Sequence, residues 1–201
     1  MIMKKKTKKV MQPEAPKAPE VISPPGTYLR ESGNLFLTTE FDKEKVTPLV
    51  MSIAKYQLMP EELQPERITL FINSPGGAVD SALMLIDTMR TSSIPVDTFV
   101  TGMAASCGII TAMAGEHRMA SWTSQLMSHQ YAAGSRGKEH ELYGRVKSWE
   151  HTSEWMEIHY MKCTGLSRKK IRKHLLGPTD VWLNAGEALQ FNIIDEIVET
   201  Y

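Results

Sequence analysis

Cysteine is scarce: Cys107 and Cys163 are the only two in 201 residues. They lie too far apart in sequence for a zinc-site spacing or a disulfide framework. Such usage fits a reducing compartment, and a cytoplasmic location is the expectation. Long apolar runs are also missing. None approaches the roughly 18 residues of a membrane span, and no apolar stretch follows the basic start as it would in a secretion signal. Net charge is absent too, with 23 basic against 23 acidic residues. The field of the whole chain therefore points neither to nucleic acid nor to a membrane as partner. No metal or cofactor is expected.

What is present divides in two. Residues 1–27 hold Lys4, Lys5, Lys6, Lys8 and Lys9, then Pro13, Pro16, Pro19, Pro24 and Pro25, with few apolar residues between them. A segment of that kind cannot offset its ordering entropy, so a flexible extension is expected. Residues 28–201 have the pattern of one globular domain.

In that domain strand and helix periods alternate. Leu35 to Leu37 predicts a strand, and about Lys43 to Gln57 a helix, with Val46, Leu49, Val50, Ile53 and Ala54 at helical spacing. Ile68 to Ile72 predicts a second strand; Val79, Ala82, Leu83, Ile86 and Met89 mark the helix after it. Val96 to Thr101 and Gln125 to Ser128 are further strands, and Cys107 to Ala114 is an apolar helix expected to be buried on all sides. A long amphipathic helix is predicted over about Lys138 to Lys162, with Leu142, Val146, Trp149 and Met156 on one stripe and Gly165 as its stop. Ser167 can cap a short basic helix that Gly177-Pro178 breaks, and Val181 to Leu183 predicts a brief strand. Asn184 with Glu187 has the form of a capping box, and Ile193-Ile194 with Ile197-Val198 suggests a closing strand. Successive units of this kind favour a largely parallel α/β architecture.

Two turns carry the chemistry. Ser74-Pro75-Gly76-Gly77 and Gly102-Met103-Ala104-Ala105-Ser106-Cys107-Gly108 each link an apolar strand to an apolar helix, the edge of an α/β sheet where ligands bind. Ser106 is a candidate nucleophile at the start of a helix, whose N–H groups face the reacting atom. The N–H groups of Cys107 and Gly77 could form an oxyanion hole. Taken singly, Ser106 could equally be a small residue that lets a helix pack, and Ser74 to Gly77 a plain tight turn. Nor is this the Gly-x-Ser-x-Gly elbow, because Ala104 stands where its first glycine belongs. Cys107 is a rival nucleophile without an evident partner.

Of the six histidines, His129 alone follows directly on an apolar strand, where a strand end can present it to the serine. His140, His151 and His159 are expected to face solvent from the long helix; His174 sits in a basic cluster and His117 in a short turn. Asp180 is a candidate for the carboxylate that orients the base, in competition with Asp80, Asp87 and Asp195.

Phe71 to Gly77, Asp87-Thr88-Met89, Gly102 to Gly108, His129-Gln130 and Asp180 before Trp182-Leu183-Asn184-Ala185 follow one another in the order and spacing of a known family. From about Asn34 to Val198 the chain resembles the ClpP family of self-compartmentalised serine peptidases. The resemblance implies the ClpP/crotonase-like fold of stacked βαβ units, with the helix from Lys138 as a protruding handle. It implies Ser106 as nucleophile, His129 as general base, Asp180 as orienting carboxylate, and Gly77 and Cys107 as oxyanion hole. It further implies two stacked heptameric rings, polypeptide substrates, and a Clp-type AAA+ unfoldase that would use ATP in the chain's stead. Departures are specific: Met103 stands for a usual Gln, Cys107 for Met, Tyr131 for Pro, and Thr179 for an Arg that joins the rings. The alternatives within reach of the same fold are a structural ring subunit, a processing protease acting without an ATPase, and a crotonase-type acyl-CoA enzyme.

Overall fold

A computed structural model describes residues 32–199; the basic, proline-rich extension lies outside them. Among these residues the chain forms β1 (Asn34–Leu37), α1 (Lys43–Leu58), β2 (Ile68–Ser74), α2 (Val79–Thr91) and β3 (Val96–Ala105). Then come α3 (Cys107–Ala112), β4 (Arg118–Ser121), β5 (Gln125–Ser128), α4 (Glu139–Thr164), α5 (Arg168–His174), β6 (Val181–Asn184), α6 (Ala185–Gln190) and β7 (Glu196–Val198). The mixed α/β fold agrees with the sequence pattern.

Each element begins and ends for a local reason. The Asp42 carboxylate accepts the Lys45 N–H at 2.8 Å and so caps α1. Gly165 ends α4 at φ 71°, in the left-handed region. Asn184 and Glu187 do form a reciprocal capping box, with both bonds at 2.9 Å. Along β2, Ile68, Leu70 and Ile72 are buried while Thr69, Phe71 and Asn73 turn to the more open face.

Strands β1, β2, β3, β4 and β7 run side by side and parallel, and the antiparallel β5–β6 pair branches from β3. The branch comes from the length of β3. Its first half, Thr98 to Val100, pairs with β4, and its second half, Met103 to Ala105, pairs with β5. Between the halves β3 bulges: β2 advances from Ile72 to Ser74 while β3 advances from Val100 to Ala104. Gly102, at φ 96°, supplies the backbone conformation that the bulge needs, and the Asn73 side chain accepts the N–H of Met103 at 3.3 Å. The carboxyl end of β3 is thereby turned toward β5, which brings Ser106 to the strand that ends just before His129.

Three details differ from the sequence expectation. β4 is an additional strand, too short and mixed in polarity to show an alternation. Ile193 and Ile194 are buried plugs ahead of β7 rather than part of it. In α4 the predicted stripe is buried only near its end: Met156 is 8% exposed, whereas Val146 is 45% exposed. Among the described residues, the first half of α4 is largely exposed and projects from the body.

Candidate active site

Ser106 sits between β3 and α3 at φ 54° and ψ −114°. It is one of two non-glycine residues with positive φ among those described. A backbone of that kind costs on the order of 1–3 kcal/mol and persists only where its surroundings impose it. Here the Ser106 N–H donates to the Met127 carbonyl of β5 at 3.0 Å. The strained turn lifts the hydroxyl out of the sheet, as the nucleophile turn of other α/β folds does, although the flanking glycine pattern is missing.

His129, one residue past β5, brings Nε2 to 2.8 Å from Ser106 Oγ. That is hydrogen-bond distance for a base and the proton it would take. The strand before it is firmly held. Ser128 Oγ donates to the Leu175 carbonyl at 2.6 Å and accepts from Tyr160 Oη at 2.7 Å, both buried. Gln130 Nε2 donates to the Leu176 carbonyl at 3.0 Å.

The β5–β6 register ends with Ser128 opposite Val181, so His129 and Asp180 are the next residues out on the two chains. The Asp180 carboxylate is exposed and makes no hydrogen bond to the imidazole. Its competitors lie elsewhere: Asp195 is held by the Arg118 guanidinium, which keeps its carboxyl below the usual range, and Asp80 and Asp87 are exposed on α2.

The glycine turn closes against Ser106 from the other side. Ser74 Oγ donates to the Thr39 carbonyl at 2.6 Å and accepts the Gly76 N–H at 3.2 Å. Phe41 then pairs with the turn through Gly76 O at 2.7 Å and the Ala78 N–H at 2.8 Å. That parallel bridge uses the groups flanking Gly77 and leaves the Gly77 N–H out of it. The Cys107 thiol donates to the Gly77 carbonyl at 3.2 Å and so ties the two turns together. Burial pushes this thiol up to about 11, which keeps it protonated at neutral pH and disfavours it as a rival nucleophile.

Beside Ser106 and His129 opens a cavity of about 250 Å³. Its apolar walls include Val79, Ile110, Trp155 and Met156, so it suits a large uncharged side chain. Sequence reasoning missed this wall because Trp155 and Met156 arrive from α4, far along the chain.

His159 corrects the expectation of a solvent-facing residue: it is 1% exposed. Its Nε2 lies 2.7 Å from the Ile110 carbonyl and its Nδ1 2.9 Å from an Arg90 nitrogen. The sign of its position was the helical spacing to Trp155, four residues earlier, and to Met156. Burial, reinforced by the charges of Arg90 and Arg118, pushes the imidazole down from 6.5 to about 4. Cys163 and Tyr160 are its other polar neighbours. The unfolded chain therefore takes up a proton here as pH falls below 6.5, while the folded chain refuses it until about 4. Stability is lost across that window, in full on the order of 3 kcal/mol. Urea unfolding between pH 7 and 4 should show the slope in the wild type and a flatter one in His159→Gln; equal slopes would contradict it.

A serine in hydrogen-bond contact with a histidine at the carboxyl end of a parallel sheet, beside an apolar cavity, defines an α/β protein of hydrolase type. Similarity to known proteins narrows the class. The family model described as Clp protease matches residues 21–201. The chain is 31% identical over 167 residues to the ATP-dependent Clp protease proteolytic subunit of Deinococcus radiodurans, covering 82% of this chain and 79% of that protein. The chain belongs to the Clp protease family.

Proposed function

We propose that this chain is a serine endopeptidase that cleaves peptides and unfolded polypeptides through an acyl-enzyme. The observation that carries the reading is the 2.8 Å contact between Ser106 Oγ and His129 Nε2 on a strained strand-to-helix turn. Ser106 Oγ attacks the scissile carbonyl carbon as its proton passes to His129 Nε2. The developing oxyanion is met by the N–H groups of Gly77 and Cys107. The C–N bond then breaks, the leaving amine takes the proton from Nε2, and water hydrolyses the acyl ester by the same route.

Asp180 completes the set in this reading. Its place one residue beyond the Ser128–Val181 pair supports the role, which requires the carboxylate to turn toward Nδ1. The free, projecting half of α4 supports assembly with further copies into rings around a chamber. Family membership and the Deinococcus relative's name support feeding by a Clp-type ATPase. The chamber would then restrict substrates to chains that can be threaded.

A fluorophosphonate should form an adduct on Ser106, found by mass on the peptide that contains it. Asp180→Asn should slow that labelling and peptide hydrolysis by about 10³ to 10⁴, since the imidazole loses its orienting charge. Labelling at another residue would refute the nucleophile. A loss below about tenfold in Asp180→Asn would show a Ser–His pair working alone.

A further inference from the structure

His159 is buried and takes no part in the chemistry, yet it touches three elements that shape the site. It projects from α4, accepts from Arg90 of α2, and donates to the Ile110 carbonyl of α3, the helix that begins beside Ser106. The two partners fix its tautomer. Arginine can only donate, so Nδ1 is the unprotonated nitrogen and Nε2 carries the hydrogen. The Ile110 carbonyl needs that donor because α3 ends there: the N–H groups of Met113 and Ala114 go to Ile109 and Thr111 and pass it over. Arg90, on the exposed end of the contact, also reaches Cys163 Sγ at 3.4 Å.

Against this imidazole lies Trp155, one turn back on α4, with ring centroids 5.0 Å apart and planes 14° apart. Trp155 also lines the 250 Å³ cavity, and Ile110 is another of its walls. Trp155 is half-buried at the edge of the core, and the stacked imidazole covers one face of its ring.

We infer that His159, held neutral between Arg90 and Ile110, is a positioning residue that sets Trp155 and Ile110 as the walls of the side-chain pocket and thereby determines selectivity for a large apolar residue before the cleaved bond. The inference rests on the proposal that Ser106 is the nucleophile. With the wall fixed, a leucine side chain meets a surface already in place, while alanine leaves it uncovered. With the wall loose, that difference shrinks, although the reaction at Ser106 is untouched.

The test compares peptidyl-aminocoumarins carrying Leu or Ala before the cleaved bond. The wild type should favour Leu by at least about tenfold in kcat/KM. His159→Gln can keep both hydrogen bonds but has no ring to stack. It should lower the Leu/Ala ratio about tenfold, mainly through KM for the Leu substrate, with the fluorophosphonate labelling rate of Ser106 unchanged. Trp155→Ala should lower the ratio as much, and the double variant no further. Arg90→Met, which removes the donor to Nδ1 from an exposed position, should shift the ratio in the same direction by about threefold.

An unchanged ratio in either His159→Gln or Arg90→Met, an equal loss for both substrates, or additive effects with Trp155→Ala would overturn the inference. Absence of a Ser106 adduct in the wild type would instead refute the proposed nucleophile, so the two failures are distinguishable.

Discussion

Ser106→Ala should lower peptide hydrolysis by at least about 10⁴-fold while the chain still folds and assembles. The size follows from the chemistry: without the hydroxyl there is no acyl-enzyme, and what remains is the modest effect of binding and oxyanion donors on direct attack by water. Folding should be unaffected or slightly favoured, because the hydroxyl bonds to His129 and the strained backbone is imposed by neighbours rather than by the side chain. Steady-state hydrolysis of an unstructured peptide, with native mass as control, measures both. The native mass should be many times the 22.6 kDa of one chain and equal in wild type and variant. Retained hydrolysis would remove Ser106 from the mechanism. A monomer or dimer with full activity would remove the chamber and leave the chemistry intact.

Gly76→Ala should be almost as damaging, although Gly76 takes no part in the reaction. A Cβ on Gly76 would lie 2.7 Å from Ser106 Cβ, 2.8 Å from the Ala105 carbonyl and 3.1 Å from the Cys107 nitrogen. It would press on the proposed nucleophile and crowd a proposed oxyanion donor at once. The backbone is also unsuited to a side chain there, at φ 104°. Relief requires the glycine turn and the serine turn to move apart, and a displacement near 1 Å can cost about 10² in rate. Turnover should therefore slow by about a hundredfold or more, with a far-UV spectrum like that of the wild type. A variant that turns over at the wild-type rate would show that the two turns are not held in register by their contact. Gly77 is equally constrained from behind, where a Cβ would lie 2.7 Å from the Phe41 nitrogen.

How much of this was legible in the sequence depends on how local the deciding physics is. Strand and helix periods, caps at Ser167, Asn184 and Gly165, and the two glycine-bearing turns depend on residues within a few positions of each other. They were readable for that reason. Ser106 and His129 stood out because each follows directly on a strand. The choice among Asp80, Asp87, Asp180 and Asp195 stayed open in the bare residues, because only strand pairing says which carboxylate lies at the same end of the ladder as His129. For His159 local reasoning misled. Its neighbours in sequence are those of a solvated helix, but the end of α4 sinks into the body while its beginning projects.

The sequence by itself thus determined the α/β order of elements, the position of a serine at a strand-to-helix turn, and the family pattern that links it to His129 and Asp180. Tertiary structure alone decided which face of α4 is buried where, that β3 bends at Gly102 to bring Ser106 to His129, and that Arg90, Ile110 and Trp155 meet around one imidazole. The physical reason is range. Backbone periodicity and capping act over one or two turns, whereas a site wall is made of side chains that approach only after the chain has packed, and their spacing in sequence carries no record of that meeting.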